Sequence, residues 1–406
     1  MPPWQENLSF SDRLAAIVRM HGNGNSTAEY KTSHPGATAA EASQHSKILE
    51  SAIFGRATET LDYHHQCNRL VDEFKKDLQV YDEMTTSEDV QEGEGKGSRS
   101  IGRYQNAVHF RDGLFSDVYK TVAPQENQEG FLGKPGSTVA LKVTYLIGME
   151  PPHDSQREVR ILQKMLSPNI IPLLESFREP GHSHLVLVFP FMPYDLDMIL
   201  QQEYLAKSSR TTYLKDLFSA LKYVHAQGLI HRDVKPSNIL MKSLSGPVYL
   251  ADFGIAWSPD DPASEPTNEK ITDVGTTSYR APEILFGKKD YDQSLDMWAA
   301  GCVAVQVITS SPEPLFEAGD LGSDLKLIQS IFKKLGTPNT ETWPDSASCP
   351  DWGKVEWVDY PTQQWSEIIP EVSEAGKDLV SKLVLYESGA RLTSEQALGH
   401  PYFASG

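Results

Sequence analysis

The sequence predicts an α+β protein of two lobes, a β-rich one followed by a mainly α-helical one, with a cleft between them. Three observations predict this. From residue 101, apolar runs bounded by turn residues come first: VHF and DVYKTV around a tight turn, then STVALKVTYL, then HLVLVFPF. Helical spacing follows, with Leu214, Leu217, Phe218, Leu221 and Val224 recurring on one face and stopping near Gly228. Finally, WAAGCVAVQVI at 298–308 is apolar almost throughout and too short to span a bilayer, which makes it a buried helix. Strands gathered in one half and helices in the other segregate into separate layers.

In chain order, residues 1–100 form an extension. NGNSTAEYKTSHPGATAAEAS is small and polar, so the extension is expected to be flexible and partly disordered. From about 44 to 84, Leu70, Phe74, Leu78 and Tyr81 recur at helical spacing, and SEDVQEGEGKGS then forms an acidic, glycine-rich linker. The main domain spans 101–404, with the first lobe at about 101–190 and the second at about 191–404. Within it, Asp154 is placed to cap a helix running through REVRILQKML.

Composition narrows the function. The 406 residues are 39% hydrophobic and 23% charged, ordinary for a globular chain with a sizeable core. Thirty-seven basic against 55 acidic side chains give a net charge of −18, which argues against a nucleic-acid or anionic-membrane partner. Cys67, Cys302 and Cys349 are too few for a disulfide framework and fit a reducing compartment. The start, MPPWQENLSF, lacks the pattern of a secretory signal, so the nucleus or cytoplasm is expected.

The strongest chemical signal is HRDVKPSNIL at 231–240, which offers a carboxylate (Asp233), an ammonium (Lys235) and an amide (Asn238) in one short loop. A carboxylate can accept the proton of an attacking hydroxyl, an ammonium can neutralise a phosphate, and an amide oxygen can ligate Mg²⁺. Asp252 in ADFG adds a second hard oxygen ligand. Upstream, VALK sets Lys142 on a strand. Glu158 shares a helix face with Ile161, Leu162 and Met165; buried there it needs a counter-charge, and Lys142 is the obvious one.

In this order, with SYRAPE at 278–283, DMWAAGC at 296–302 and Arg391, the set resembles the eukaryotic protein kinases over residues 101–404. The resemblance implies the bilobal protein kinase fold, ATP and Mg²⁺ as cofactors, and a protein substrate. It assigns Asp233, Lys235, Lys142 and Glu158 to catalysis and Asn238 and Asp252 to the metal. It also implies a buried Glu283–Arg391 pair and Asp296 as an anchor beneath the catalytic loop. Lys235 and Thr276 look like a serine/threonine kinase. PLFEAGDLGSDLKLIQSIFKKLGTPNTETWP and LVFPFMPYDL resemble the CMGC group and its cyclin-dependent-kinase branch. By that match Phe189 is the gatekeeper, the backbone of Pro190 and Met192 holds adenine, and Phe110, Val118, Ala140 and Leu240 sandwich it. Gly113 lies in the phosphate loop.

Three stretches depart from the branch. MEPPHDSQREVRIL keeps Arg157 and Glu158 but not the residues that precede them in cyclin-contacting helices, so a cyclin partner is doubted and a monomer expected. The activation segment carries Ile271 where the branch has its activating threonine, with Thr272 as the phosphosite if the match slips by one residue. Arg232 still needs an anion; Glu269 or Asp273 is the expected source, giving activity without phosphorylation. FRDGLFSDVYK keeps only the middle glycine, Gly113, of its phosphate loop. Arg111 there adds a cation near the phosphates, and Leu114-Phe115 replaces the inhibitory Thr-Tyr site. Such a kinase resembles fungal monomeric kinases that phosphorylate cyclin-dependent kinases. The alternative is a pseudokinase scaffold on the same fold.

Overall fold

The computed structural model describes residues 53–54, 57–67, 98–113, 115–125, 130–146, 149–178, 184–319 and 322–404. Within the predicted helical segment of the extension, residues 60–67 are helical; Leu70, Phe74, Leu78 and Tyr81 lie outside the described residues, as does Leu114.

The first lobe is one antiparallel sheet. Its strands are β1 (Ser98–Ile101), β2 (Tyr104–Asp112), β3 (Ser116–Val122), β4 (Thr138–Tyr145), β5 (Glu175–Arg178) and β6 (His184–Pro190), in the order β1-β2-β3-β4-β6-β5. Strand alternation decides what faces the cleft. Val139, Leu141 and Val143 of β4 point into the sheet's own core with Val186 and Val188, so Ala140 and Lys142 between them point the other way. The register fixes their neighbours: Lys142 lies opposite Val118 and Leu187, and Ala140 opposite Phe189.

One helix, α1 (Ser155–Leu162), packs beneath this sheet. The predicted cap is present, the Asp154 carboxylate accepting from the backbone N–H of Gln156 at 2.8 Å and of Arg157 at 2.9 Å. Ile161 and Leu162 join the large second-lobe core, together with Leu185 and Leu187 from the sheet's inner face.

A short sheet then bridges from the hinge to the catalytic loop. Its strands β7 (Tyr194–Asp195), β8 (Ile239–Met241) and β9 (Val248–Leu250) pair in that order, with Asp195 opposite Leu240 and Ile239 opposite Leu250. Around it lie α2 (Leu196–Gln201), α3 (Lys207–Ala226), α4 (Pro282–Leu285), α5 (Ser294–Thr309), α6 (Asp324–Leu335), α7 (Trp365–Ile368), α8 (Glu374–Leu383) and α9 (Ser394–Leu398). The apolar run 298–308 is the body of α5, buried throughout. Among the described residues, no helix is long and apolar enough to cross a membrane.

Candidate active site

Between the lobes, strand β4, helix α1 and two loops deliver charge to one place. Lys142 Nζ donates to both carboxylate oxygens of Glu158 at 2.9 Å and to Asp252 Oδ1 at 2.8 Å. Glu158 is buried, and its partner explains how a carboxylate is kept there. Burial opposes the charge on Lys142, but Asp252 and Glu158 outweigh it and hold its pKa above the usual lysine range. The Asp252 carboxyl, against its own burial, is held well below the carboxylate range by Lys142. Asp252 takes a positive φ of 64°, an uncommon conformation for a non-glycine residue and one that the surrounding contacts must maintain.

The catalytic loop is fixed from below. Asp296 accepts from the backbone N–H of His231 at 2.8 Å and of Arg232 at 2.9 Å, and pairs with His225 at 2.9 Å. Those bonds hold Arg232 at φ 70° and aim the following residue, Asp233, into the cleft. Asp233 accepts from the Thr276 backbone N–H at 3.0 Å and hydroxyl at 2.9 Å, and from the Asn238 amide at 2.9 Å. Lys235 Nζ reaches the Thr276 hydroxyl at 2.8 Å and Asp233 at 3.2 Å. The neighbouring Gly275 makes this possible: at φ +75° a Cβ would stand 2.6 Å from the Arg232 carbonyl oxygen, so only glycine lets the activation segment lie on the catalytic loop.

The Asn238 amide nitrogen also donates to the Asp233 carbonyl at 2.8 Å, which leaves its oxygen as the atom suited to a cation. With Asp252 this makes a hard-oxygen donor pair of the kind Mg²⁺ takes, so the residues fit the ion.

The predicted adenine residues come from β2, β3, β4, β6, the segment just after β6, and β8. Ala140 and Phe189 face each other across β4 and β6, and Pro190 ends β6 opposite Val139. Val118, Met192 and Leu240 are half-buried; Phe110 is exposed and meets Phe191 edge-on at 4.9 Å. In the phosphate loop, Gly113 closes the turn, its N–H donating to the Ser116 carbonyl at 2.6 Å, where a Cβ would be crowded to 3.0 Å. Phe115 at the tip packs on His153 at 4.7 Å, and burial lowers that imidazole's pKa to about 4, so it is neutral at pH 7.

Two expectations need correction. Arg111 is not near the phosphate end: its guanidinium crosses the cleft mouth to Asp195, at 2.6 Å, where Asp195 also caps α2 through the Met198 N–H at 2.8 Å. The anion on Arg232 is neither Glu269 nor Asp273. Glu269 pairs with Lys289 at 2.7 Å and Asp273 with Arg280 at 2.5 Å. Instead Glu265 accepts from Arg232 at 2.9 and 3.4 Å and lies 4.0 Å from Arg157. The turn at 258–265 folds the segment back, so Glu265 arrives from earlier in the chain than alignment distance suggests. Ile271 offers only its carbonyl, which accepts from the Tyr291 hydroxyl at 2.6 Å.

Comparison with known proteins agrees with this geometry. The protein kinase domain family matches residues 112–403. The chain belongs to the protein kinase family. Among relatives, the serine/threonine-protein kinase csk1 of Schizosaccharomyces pombe is 34% identical over 72% of this chain and 93% of its own. Cyclin-dependent kinase D-1 of Arabidopsis thaliana is 36% identical over 67% of this chain and 66% of its own. Cyclin-dependent kinase 20 of Homo sapiens is 34% identical over 66% of this chain and 76% of its own. A solved structure titled as the yeast RNA Pol II CTD kinase CTDK-1 complex superposes with TM-score 0.62 at 26% identity, covering 78% of this chain and 97% of that one. The kinase is therefore of the serine/threonine, cyclin-dependent-kinase-like type within the CMGC group, a family that uses ATP and Mg²⁺ and acts on proteins.

Proposed function

We propose that this kinase phosphorylates serine or threonine in the activation loops of other cell-cycle or transcription kinases, as a monomer without a cyclin and without phosphate on its own activation segment. The observation that carries the chemistry is the single cluster in which Lys142 joins Glu158 to Asp252 while Asp233 faces Thr276 beside Lys235. Asp233 would orient the acceptor hydroxyl and take its proton. Lys142, set by Glu158, would position the α- and β-phosphates, and Lys235 would neutralise the γ-phosphate. Asp252 and the Asn238 oxygen would hold Mg²⁺, which supplies charge neutralisation when bound. Catalysis on this plan is positioning plus electrostatic stabilisation.

Support for the substrate class is the sequence resemblance and the cyclin-dependent-kinase relatives. The solved neighbour is a complex, so it lends no support to cyclin independence; the support for that is the set of contacts this chain makes to its own α1. Glu265 between Arg157 and Arg232 supports independence from phosphate.

An arrayed peptide library that includes cyclin-dependent-kinase activation loops, with ATP-Mg²⁺ and an Asp233→Asn control, tests the reading. Expected is transfer to those peptides that disappears in the control. Transfer equal in the control would refute the roles assigned, indifference to those peptides would remove the substrate class, and a cyclin co-purifying in stoichiometric amount would sink the monomer.

A further inference from the structure

The helix that carries Glu158 is short, Ser155–Leu162, and helices of that length have little stability of their own. Its position must come from what it touches. Arg157 and Glu158 are consecutive, so they leave the helix about 100° apart. Glu158 faces Lys142, and Arg157, equally buried, faces the activation segment.

On that second face the contacts are dense. Arg160 grips Asp261 with both prongs, Nε to Oδ2 at 2.7 Å and Nη2 to Oδ1 at 2.8 Å. Arg157 donates to the Ala263 carbonyl at 3.3 Å and to the Pro152 carbonyl, and lies 4.0 Å from Glu265. The Asp154 backbone N–H, at the helix start, donates to the Gly254 carbonyl at 2.9 Å.

The segment that presents these carboxylates is bonded to itself. Ala263 N–H donates to Asp261 Oδ1 at 3.0 Å, Ser258 N–H to the Ser264 hydroxyl at 3.1 Å, and Trp257 Nε1 to the Glu265 carbonyl at 2.9 Å. Asp261 is nearly buried, with 6% of its side chain exposed, although Arg160 is 39% exposed. A bidentate bond on a buried carboxylate has a fixed geometry that a loose surface pair lacks.

We propose that the bidentate Arg160–Asp261 bond, added to the Glu265 contact described above, is a brace that holds α1, and through it Glu158, in the catalytic position, so that Arg160 and Asp261 are positioning residues for phosphoryl transfer. The proposal rests on the kinase reading above. Rotating α1 far enough to part Glu158 from Lys142 also parts Arg160 from Asp261 and Arg157 from Ala263. The same charges therefore bias a two-state element from the side remote from the nucleotide. The carboxyls are kept ionised: Arg160 holds Asp261 below the carboxylate range, and Arg232 holds Glu265 below it despite burial.

The test is steady-state kinetics on the full chain, purified alone and phosphatase-treated, with one activation-loop peptide. The variants are Asp261→Asn, Glu265→Gln and the swap Arg160→Asp with Asp261→Arg. The expected result for Asp261→Asn and Glu265→Gln is a kcat lower by about tenfold or more, the effect of removing a charge-assisted contact worth roughly 1.4 kcal/mol, with the peptide KM little changed. The swap restores much of the loss seen in Asp261→Asn. Thermal melting accompanies each variant, because a purely structural role lowers the melting temperature without a kcat–KM split. Wild-type kcat in Asp261→Asn overturns the brace. So does a swap that stays as weak as Asp261→Asn while melting like wild type. If the wild-type chain alone transfers no phosphate to the peptide, the proposed substrate class or independence from a partner fails instead, and the two failures are distinguishable.

Discussion

Two charge clusters meet at α1, one on each face. On the cleft side, Lys142, Glu158 and Asp252 close within 2.9 Å of one another through the ammonium. On the far side, Arg157 and Arg232 enclose Glu265. The first cluster must handle phosphate and metal, so its residue types and their spacing are constrained by chemistry. The second needs only one negative charge at one point, and a loop can deliver that from several positions. This is why the first cluster follows the family pattern while the second uses a glutamate from an irregular stretch.

The largest effect expected on the cleft side is chemical. Asp233→Asn should lower kcat by about 10²–10⁴-fold, the usual scale for a positioned acid-base group, while leaving the melting temperature nearly unchanged. A mutant with near-normal turnover would detach Asp233 from the chemistry and weaken the contrast between the clusters.

A third buried pair serves as the control that belongs to neither face. Arg391 bonds Glu283 at 2.7 Å through both nitrogens, fully buried. Arg391→Met leaves an uncompensated carboxylate and should cost about 3–5 kcal/mol of stability. Chemical denaturation checks the loss; turnover per folded molecule should hold. If stability holds and turnover falls, Arg391 belongs with the catalytic machinery after all.

Acid should expose the carboxylates that the fold holds ionised. Burial would raise Asp296, but bonds from His225 and the catalytic-loop backbone pull it below the usual range, and Arg232 does the same for Glu265. Folded values below unfolded ones give stabilisation that is complete above the unfolded carboxylate pKa and lost as pH falls through the folded one. The melting temperature should therefore begin to fall gently below about pH 6.5, where the unfolded chain protonates His153 while the fold keeps it neutral, and fall steeply below about pH 4 as the carboxylates protonate. A curve flat down to about pH 5 would show that His153 is not held neutral by the fold.

The smallest effect is at the cleft mouth. Arg111 is half-exposed, so its bond to Asp195 is screened and worth only about 0.2–1 kcal/mol. Arg111→Gly should lower the KM for ATP by up to about fivefold, as the ion pair no longer spans the entrance. A higher KM would mean that the guanidinium contacts the nucleotide.

Much of this was legible beforehand. VALK sets Lys142 on a strand with Glu158 as its counter-charge, and Asp154 marks the start of α1. Asp296 and the Glu283–Arg391 pair follow from the family pattern and stand where it places them. What the sequence hid depends on how irregular chain folds back. The stretch at 258–265 has no periodicity, so nothing in it announces that Asp261 and Glu265 return to α1, and distance along the alignment pointed to Glu269 and Asp273. Arg111 and Asp195 are far apart in sequence and meet only because the two lobes face each other. In that light the eroded phosphate loop is intact where the turn needs it, at Gly113, and its changed first position serves the cleft mouth.

The most direct test of the account is the activity of the chain alone. Protein expressed in bacteria, phosphatase-treated, and shown by mass spectrometry to carry no phosphate and no second chain should transfer phosphate to a kinase activation-loop peptide, with Glu265→Gln sharply weaker. Activity that appears only after treatment by another kinase, or only on adding a partner protein, would contradict it.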